Sequence, residues 1–288
     1  MNVYVFDIGG TNIKYAYFNN GEIKSRDSLK TPDSYEKLIE LIKSYVNEPY
    51  EKIVIGIPAI IDYEKKCPVY SPNLPYLKYK NLINHLNLKN VYLENDANLA
   101  ALGEYKKCHS DVKDLLMVTL GTGVGGGLIL NGRIVKSKYS LAEIGHIVVV
   151  DNGWKCSCGN RGCLEAYCGK KGFINLYNSL SNYKENIDSV NKIYQLAIQK
   201  KLTARLTFKQ FAHYLAIGIA SFVNSIYVEK VVLGGGISHY SDMFFKDFIK
   251  FFNEKLYPPY KKDVIIHLSK LKNDAALYGG YFYAKDIL

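Results

Sequence analysis

Residues 3–21 read VYVFDIGGTNIKYAYFNNG, and residues 115–132 read LLMVTLGTGVGGGLILNG. Each stretch consists of an apolar run, a glycine-rich turn, a second apolar run and an Asn-Gly pair. Asn-Gly between strand-like runs is a strong signal for a β-hairpin. The Gly-Thr pairs that begin at Gly10 and Gly121 are 111 residues apart, and the two Asn-Gly pairs have the same offset. The equal offset favours an internal duplication over a chance match, and it predicts two related α/β lobes.

The rest of the chain continues as an alternation of strands and helices. Strands are predicted at 52–57, 91–93, 230–233 and 264–269, and helices at 96–107, 164–180, 189–200, 208–228, 240–255 and 274–287. The segment 67–79 contains three prolines and is predicted to be a loop or an edge region. We expect a small N-terminal lobe of residues 1–114, with the C-terminal helix 274–288 packing back on it. Residues 115–273 would then form a larger lobe.

Composition and charge limit the classes of protein. The 288 residues are 48% hydrophobic and 22% charged, which excludes a disordered, collagenous or coiled-coil chain. A net charge of +10 suggests an anionic partner, which could be nucleic acid, a membrane surface or a phosphorylated metabolite. The longest apolar stretch, 214–223, is too short to span a bilayer and is predicted to be a buried helix. No secretory signal precedes the first glycine turn, so we expect a cytoplasmic protein without a membrane partner.

Two glycine-rich segments are candidates for binding phosphate. Their glycines would let backbone N–H groups approach phosphate oxygens. The candidate residues are Gly9, Gly10, Thr11 and Asn12 in the first segment and Gly121, Thr122, Gly123 and Gly125 in the second. Asp7, at the end of the first strand, could hold hydrated Mg²⁺. The alternative for the first segment is an ordinary glycine-rich hairpin. Neither segment is a Walker loop or a Rossmann fingerprint, and together they predict a nucleotide cleft. The triplet Gly234, Gly235 and Gly236 could line the adenosine, or could simply be a tight turn from strand to helix.

Asp96 follows a predicted strand and opens a predicted helix. One interpretation is a helix N-cap, a position that Asp favours. The other is a general base that takes the proton of a substrate hydroxyl as this oxygen attacks a γ-phosphate. A helix N-terminus favours the ionised carboxylate, so the two interpretations are compatible.

Three cysteines lie within eight residues, at 156, 158 and 163, and His146 is ten residues upstream of the first. This spacing predicts a closed Cys₃His zinc site in the loop 146–163, and a site with four protein ligands is structural. The alternative is a set of free thiols. Cys168 is a possible substitute ligand, whereas Cys67 and Cys108 are isolated. The zinc would hold Glu143 and His146 beside Glu165, where they could bind sugar hydroxyls; each alone would more often be a solvated surface group.

Five motifs occur in order: DIGGTNIK, ENDANLAALGE, GTGVGGGLILNG, AEIGH and CSCGNRGCLEAY. In this order and spacing the chain resembles, from about Val3 to Ala284, the ROK family (repressor, open reading frame, kinase) of bacterial sugar kinases and sugar-responsive repressors. The resemblance implies an actin-like, duplicated α/β fold with ribonuclease H-like lobes around a nucleotide and sugar cleft. It also implies ATP and Mg²⁺ as cofactors, a structural Zn²⁺, and phosphorylation of a hexose hydroxyl.

Positions of the family motifs imply roles for individual residues. Asp96 would be the catalytic base, and Asp7 the Mg²⁺ or phosphate partner. The sugar would be held by Asn73, Asn95, Asp96, Glu143, His146 and Glu165. His146 would also bind the zinc, which requires one ring nitrogen for each role. Many members have Lys where this chain has Asn12, so whether Lys14 takes over its role on the phosphates is open.

We therefore expect an ATP-dependent hexokinase of glucokinase type, acting on the 6-hydroxyl of glucose. Residues 71–75 and the Glu-Ile-Gly-His segment resemble glucokinases most, and an N-acetylmannosamine or other N-acetylhexosamine kinase is the alternative. A DNA-binding repressor is disfavoured, because the first glycine turn begins by residue 9 and leaves no room for a preceding helix-turn-helix. A zinc-stabilised sugar-binding protein without turnover is a further alternative. We expect a homodimer that binds sugar and nucleotide but no nucleic acid.

Overall fold

The computed structural model describes residues 1–182 and 187–287. Leu288, the last residue of the predicted C-terminal helix, lies outside this range. The chain forms two compact units. The first comprises Met1–Lys113, Gly127–Leu141 and Lys270–Leu288, and the second comprises Asp114–Gly126 and Ala142–Ser269. Residues 127–141 thus group with the N-terminal residues, whereas the sequence predicts that they belong to the larger lobe.

The first part of the chain consists of short strands with three helices between or after them. In order these are β1 (Asn2–Ile8), β2 (Asn12–Asn19), β3 (Glu22–Lys30), α1 (Tyr35–Tyr45), β4 (Lys52–Ile57), β5 (Ile60–Asp62), β6 (Cys67–Tyr70), α2 (Leu82–Leu86), β7 (Val91–Asn95) and α3 (Asp96–Cys108). The segment predicted to be a loop or an edge region contains a strand, β6, which pairs with β5 in a separate two-stranded sheet.

The second part has fewer strands and longer helices. It continues with β8 (Leu115–Leu120), β9 (Val124–Leu130), β10 (Arg133–Ile134), α4 (Glu165–Cys168), α5 (Lys170–Leu180), α6 (Val190–Ile198), α7 (Leu202–Ser225), β11 (Lys230–Gly234), α8 (Ser241–Lys255), β12 (Ile265–Leu268) and α9 (Ala275–Asp286). No helix among the described residues is long and apolar enough to cross a membrane.

The two large sheets repeat one topology. Their strand orders are β3-β2-β1-β4-β7 and β10-β9-β8-β11-β12, so each has its first strand at the centre, a hairpin on one side and two later strands on the other. Strands β1, β4 and β7 are parallel to one another, as are β8, β11 and β12. The duplicated α/β fold predicted from the 111-residue offset is confirmed.

In the first unit, α1 and α2 contribute their apolar side chains to a core with β1, β4 and β7. Helix α9 packs against α3, β1 and β4. Gly103 and Gly279 allow α3 and α9 to approach closely: a Cβ at Gly103 would overlap the carbonyl oxygen of Ala275, and one at Gly279 would overlap that of Leu99. Only glycine fits at such a backbone contact.

In the second unit, the single helix predicted over 164–180 is divided into α4 and α5. Gly169 between them has an extended backbone, with φ −75° and ψ 163°. The next residue, Lys170, donates its backbone N–H to the carbonyl oxygen of Gly121 at 2.9 Å. The break therefore brings the start of α5 against the second glycine turn.

Candidate active site

The junction between β7 and α3 carries the predicted catalytic base. Asn95, not Asp96, caps the helix, because its Oδ1 accepts the backbone N–H of Asn98 at 3.1 Å. The amide group of Asn95 also donates to the carbonyl oxygen of Ala59 at 3.2 Å. The interpretation of Asp96 as the N-cap is thus wrong. Asp96 is the first helical residue and is half-buried, and its Oδ1 accepts the N–H of Ala97 at 2.9 Å.

A buried carboxylate lies directly before this junction. Glu94 is inaccessible to solvent, and its Oε1 accepts the backbone N–H of Asn95 at 2.9 Å and the side-chain amide of Asn98 at 3.0 Å. Its other oxygen lies 2.5 Å from Lys136 Nζ. Neither Glu94 nor Lys136 is predicted from the sequence to have a role. A glutamate at the end of a predicted buried strand could have indicated such an ion pair, because a buried charge needs a partner.

The first glycine turn lies between β1 and β2, and Gly10, Thr11 and Asn12 are exposed in it. The turn is closed by a hydrogen bond from Gly9 N–H to the carbonyl oxygen of Asn12 at 2.9 Å. A Cβ added to Gly10 would lie 3.2 Å from Cβ of Asn73. The structure therefore brings Asn73, predicted to bind sugar, beside the turn predicted to bind phosphate.

Asp7 and Lys14 face each other across β1 and β2. Lys14 Nζ is 3.4 Å from Asp7 Oδ2 and donates to the carbonyl oxygen of Asn273 at 3.2 Å. Burial raises the pKa of the Asp7 carboxyl, and the charge and hydrogen bond of Lys14 offset part of this rise. Lys14 is thus engaged with Asp7 at the base of the exposed turn.

The second glycine run does not form one long turn as predicted. Gly125, Gly126 and Gly127 lie within β9, and the turn itself contains Gly121, Thr122 and Gly123. Close backbone contacts explain two of the strand glycines: a Cβ at Gly126 would overlap the carbonyl oxygen of Ala142, and one at Gly127 would overlap that of Ala97. At Gly121, by contrast, a Cβ would meet nothing within 4 Å.

Glu165 lies against this turn and against the cysteine loop. Its Oε2 accepts the backbone N–H of Val124 at 3.1 Å, and its Oε1 accepts the hydroxyl of Ser157 at 2.7 Å. Gly123 leaves the room for this carboxylate, since a Cβ there would overlap Glu165 Oε2. The carboxylate thus connects the second glycine turn to the segment that carries the cysteines.

The four predicted zinc ligands form one cluster. The ligand atoms of His146, Cys156, Cys158 and Cys163 all lie within 4.8 Å of one another. Cys158 Sγ is 3.8 Å from Cys163 Sγ, and Cys156 Sγ is 3.7 Å from His146 Nδ1. Tetrahedral zinc with Zn–S bonds of about 2.3 Å separates its sulfur ligands by roughly 3.8 Å, so the residues fit this metal.

Burial raises the pKa of the Cys163 thiol to about 12, so a thiolate there at neutral pH needs a cation to compensate its charge. Cys168, the possible substitute ligand, is buried elsewhere, with its Sγ 3.7 Å from the carbonyl oxygen of Phe211. Positive φ angles at Gly159 (97°) and Gly162 (76°) form the turns between the cysteines.

Glu143 belongs to the same unit as the cysteine cluster and Glu165. The residue as a whole is exposed, but its carboxyl group is largely surrounded by other residues. This desolvation, together with the negative charge of Glu165, raises the pKa of Glu143 to about 7. Two carboxylates that interact in this way are suited to accept hydrogen bonds from neighbouring hydroxyl groups.

The third glycine segment follows β11. Packing explains Gly234 and Gly235, because a Cβ at the first would lie 3.1 Å from Cβ of Ser269 and one at the second, where φ is 84°, would overlap the backbone of Leu120. Gly236 is exposed, and a Cβ there would meet nothing within 4 Å. Of the three, Gly236 is therefore the one with open space for a ligand.

A family model described as the ROK family matches residues 3–287. The chain belongs to the ROK family. The glucokinase of Halalkalibacterium halodurans is 29% identical, over 97% of this chain and 93% of the relative. The N-acetyl-D-glucosamine kinase of Vibrio cholerae is 32% identical, over 86% of this chain and 88% of the relative. The xylose repressor of Caldicellulosiruptor bescii is 26% identical, over 88% of this chain and 69% of the relative.

Among solved structures, a ROK family glucokinase from Streptomyces griseus in complex with glucose and AMPPNP superposes with a TM-score of 0.86. It is 25% identical to this chain, and the match covers 99% of both chains. The predicted fold class, the actin-like duplicated fold of the ROK sugar kinases, is confirmed.

Proposed function

We propose that this ATP-dependent sugar kinase transfers the γ-phosphoryl group of ATP to a hexose, with the 6-hydroxyl of glucose as the acceptor. The observation that carries the proposal is the position of Asp96. In a chain of the ROK family, a half-buried carboxylate begins α3, while the capping of this helix is left to Asn95. In this position the Asp96 carboxylate would take the proton of an attacking hydroxyl.

The sugar would be oriented by Asn73, Asn95, Glu143, His146 and Glu165. Contacts within each unit support these assignments. Glu165 is oriented by Val124 N–H and Ser157, and Glu143 interacts with it electrostatically. The amide of Asn95 is already bonded to Asn98 and Ala59, so its share in sugar binding would be smaller than that of the two glutamates.

The nucleotide phosphates would bind to the backbone of the glycine turns. Five residues of these turns are exposed: Gly10, Thr11, Asn12, Thr122 and Gly236. A Cβ added at Gly121 or Gly236 would meet nothing within 4 Å. ATP would arrive with Mg²⁺, which neutralises charge that develops on the transferring phosphoryl group. Asp7 is the carboxylate closest in sequence to the first turn and would hold the ion through its water shell, with Lys14 balancing its charge.

Zinc has a structural role in this proposal. Four protein ligands leave no open coordination position, so the metal would hold the cysteine loop and, through Ser157, the Glu165 carboxylate. The imidazole of His146 presents Nδ1 to Cys156, which leaves the other ring nitrogen for a sugar hydroxyl.

A specific observation keeps a second acceptor class open. Glucokinase and N-acetyl-D-glucosamine kinase relatives match this chain with similar identity, 29% and 32%. A coupled assay of ADP release with glucose, mannose, fructose, N-acetylmannosamine and N-acetylglucosamine separates the two. We expect the highest kcat/KM with glucose. A higher kcat/KM with an N-acetylated sugar would show that this sugar, and not glucose, is the acceptor. The absence of ADP release with every sugar would contradict kinase activity.

The role of Asp96 is tested by Asp96→Asn. The amide keeps the size and the polar contacts of the side chain but cannot accept the hydroxyl proton. We expect kcat to fall by at least about 10²-fold, within the range for loss of a general base. Sugar affinity, measured by titration calorimetry, should change little. Full activity of this variant would contradict the assignment of the base.

A further inference from the structure

Glu94 is a buried ionisable group near the proposed base in sequence, and the proposed phosphoryl transfer assigns it no role. It is the last residue but one of β7, two positions before Asp96. Its Oε1 receives the N–H of Asn95, the amide of Asn98 and, in a short hydrogen bond, the hydroxyl of Tyr63. The carboxylate therefore holds both the peptide that leads into Asp96 and a side chain from the first turn of α3.

Lys136 compensates this buried charge. Its Nζ lies 2.5 Å from Glu94 Oε2 and 2.7 Å from the hydroxyl of Tyr283, and its side chain is 30% exposed. The ammonium group also lies over two aromatic rings, 4.8 Å from the centroid of Tyr63 and 4.4 Å from that of Tyr283. Four separate segments of the first unit thus meet at one charge pair.

Lys136 is itself held in place by the segment that follows it. The Oγ of Ser140 accepts the backbone N–H of Ile61 at 3.1 Å. The carbonyl oxygen of Lys138 receives the N–H of Tyr63 at 3.1 Å. Residues 136–140 are therefore tied to the end of β5, which fixes the backbone from which the Lys136 side chain extends toward Glu94.

We propose that Lys136 is a positioning residue for phosphoryl transfer: it holds the Glu94 carboxylate, which in turn fixes the Asn95 peptide and the first turn of α3, and thereby the Asp96 carboxylate. The inference rests on the function proposed for Asp96. Its physical basis is that a buried carboxylate whose cation is removed takes up a proton or moves toward water. Either response changes the hydrogen bond that Glu94 accepts from the N–H of Asn95, the residue directly before Asp96.

The test compares Lys136→Met with Lys138→Met, a matched control in the same segment that removes an ammonium group without contact to Glu94. We expect Lys136→Met to lower kcat by at least about tenfold, because small displacements of a catalytic group cost up to about 10²-fold. The KM values for sugar and ATP should stay within about threefold, since the binding groups remain. Lys136→Arg should restore most of kcat, and Lys138→Met should leave it unchanged.

A double-mutant cycle shows whether Lys136 acts through Glu94. In a Glu94→Gln background no buried charge needs compensation, so Lys136→Met should have an effect of less than about twofold on kcat. Additive losses in the double variant would overturn the inference, as would wild-type kcat in Lys136→Met.

Thermal melts of every variant establish folding. Should Lys136→Met not fold, Tyr283→Phe removes one partner of the ammonium group without leaving a charge. Tyr283→Phe should lower kcat in the wild-type background. It should have no effect on kcat when it is added to the double variant Lys136→Arg/Glu94→Gln.

Failure of the inference is distinguishable from failure of the proposed function. If the wild-type chain releases no ADP with any sugar, the proposed function fails. If the wild type is active, Asp96→Asn is inactive and Lys136→Met has wild-type kcat, only the role of Lys136 is wrong.

Discussion

At the scale of single residues, the structure assigns the cap of α3 to Asn95, a role that the sequence also allowed for Asp96. Asn and Asp are both favoured caps, and they are adjacent at 95 and 96, so propensity alone cannot choose between them. The choice depends on a tertiary contact, the hydrogen bond from the Asn95 amide to the carbonyl oxygen of Ala59. The sequence predicted the strand end, the helix start and the clustering of His146 with the three cysteines, because these follow from local spacing. Lys136 was not predicted, because its partner Glu94 is 42 residues away.

The raised pKa of Glu143, about 7, predicts how sugar binding depends on pH. A carboxylate accepts stronger hydrogen bonds from hydroxyl groups than a neutral carboxyl group does. Below the raised pKa, Glu143 is protonated, so sugar affinity should weaken as the pH falls from about 8 to about 5.5. Titration calorimetry across this range measures the effect.

Glu143→Gln is the control for this pH dependence, because the amide cannot be ionised. Its sugar affinity should be lower than that of the wild type near pH 8 and nearly constant over the same range. A wild-type affinity that does not change with pH would contradict the role of Glu143 as a sugar acceptor.

At the scale of elements, glycines have two roles that the sequence does not distinguish: they form turns that can bind phosphate, and they allow close packing of backbone segments. A run of five glycines in seven residues predicted one long phosphate turn, but Gly126 and Gly127 are in β9, where other backbone segments pass too close for a Cβ. The division of the helix predicted over 164–180 at Gly169 has a similar cause, the contact of Lys170 N–H with the turn at Gly121. Both outcomes depend on the approach of segments that are distant in sequence, which periodicity cannot detect.

Removing one ligand from the cysteine loop tests whether this loop binds zinc. Cys163→Ser removes a buried ligand from the proposed zinc site, whereas Cys108→Ser makes the same chemical change outside the cluster. We expect zinc content, measured by plasma mass spectrometry, to fall from about one ion per chain to near zero in Cys163→Ser, because a structural site needs all four ligands. Cys108→Ser should keep the metal.

The same pair of variants tests whether the metal stabilises the fold. Binding energy of a structural metal contributes to folding, so Cys163→Ser should lower Tm by at least about 4 °C, and Cys108→Ser by no more than about 2 °C. A wild-type chain purified without zinc, or a Cys163→Ser variant with unchanged Tm, would contradict a structural zinc.

At the scale of the whole chain, the duplication was the strongest prediction, and it did not depend on any single element. Two sheets with the same strand order account for the equal offset of the Gly-Thr and Asn-Gly pairs. The net charge of +10 was less informative, because several of its lysines are engaged in specific contacts, as Lys14 is with Asp7 and Lys136 with Glu94. The identity of the hexose could not be predicted, because it depends on how a few hydroxyl groups meet a few side chains.

Ligand-induced stabilisation reports on binding in the whole chain without requiring turnover. A sugar present at about 100 times its Kd stabilises the folded state by about 2.7 kcal/mol. For a chain of this size we expect Tm to rise by roughly 5–10 °C. Asp96→Asn should keep this rise, because the amide keeps the polar contacts of the side chain and loses only the base, whereas Glu143→Gln should reduce it. Differential scanning calorimetry with the preferred sugar of the ADP-release assay, and with one that is not phosphorylated as the control, measures these shifts. If Asp96→Asn abolished the rise while Glu143→Gln kept it, the roles assigned to the two carboxylates would have to be exchanged.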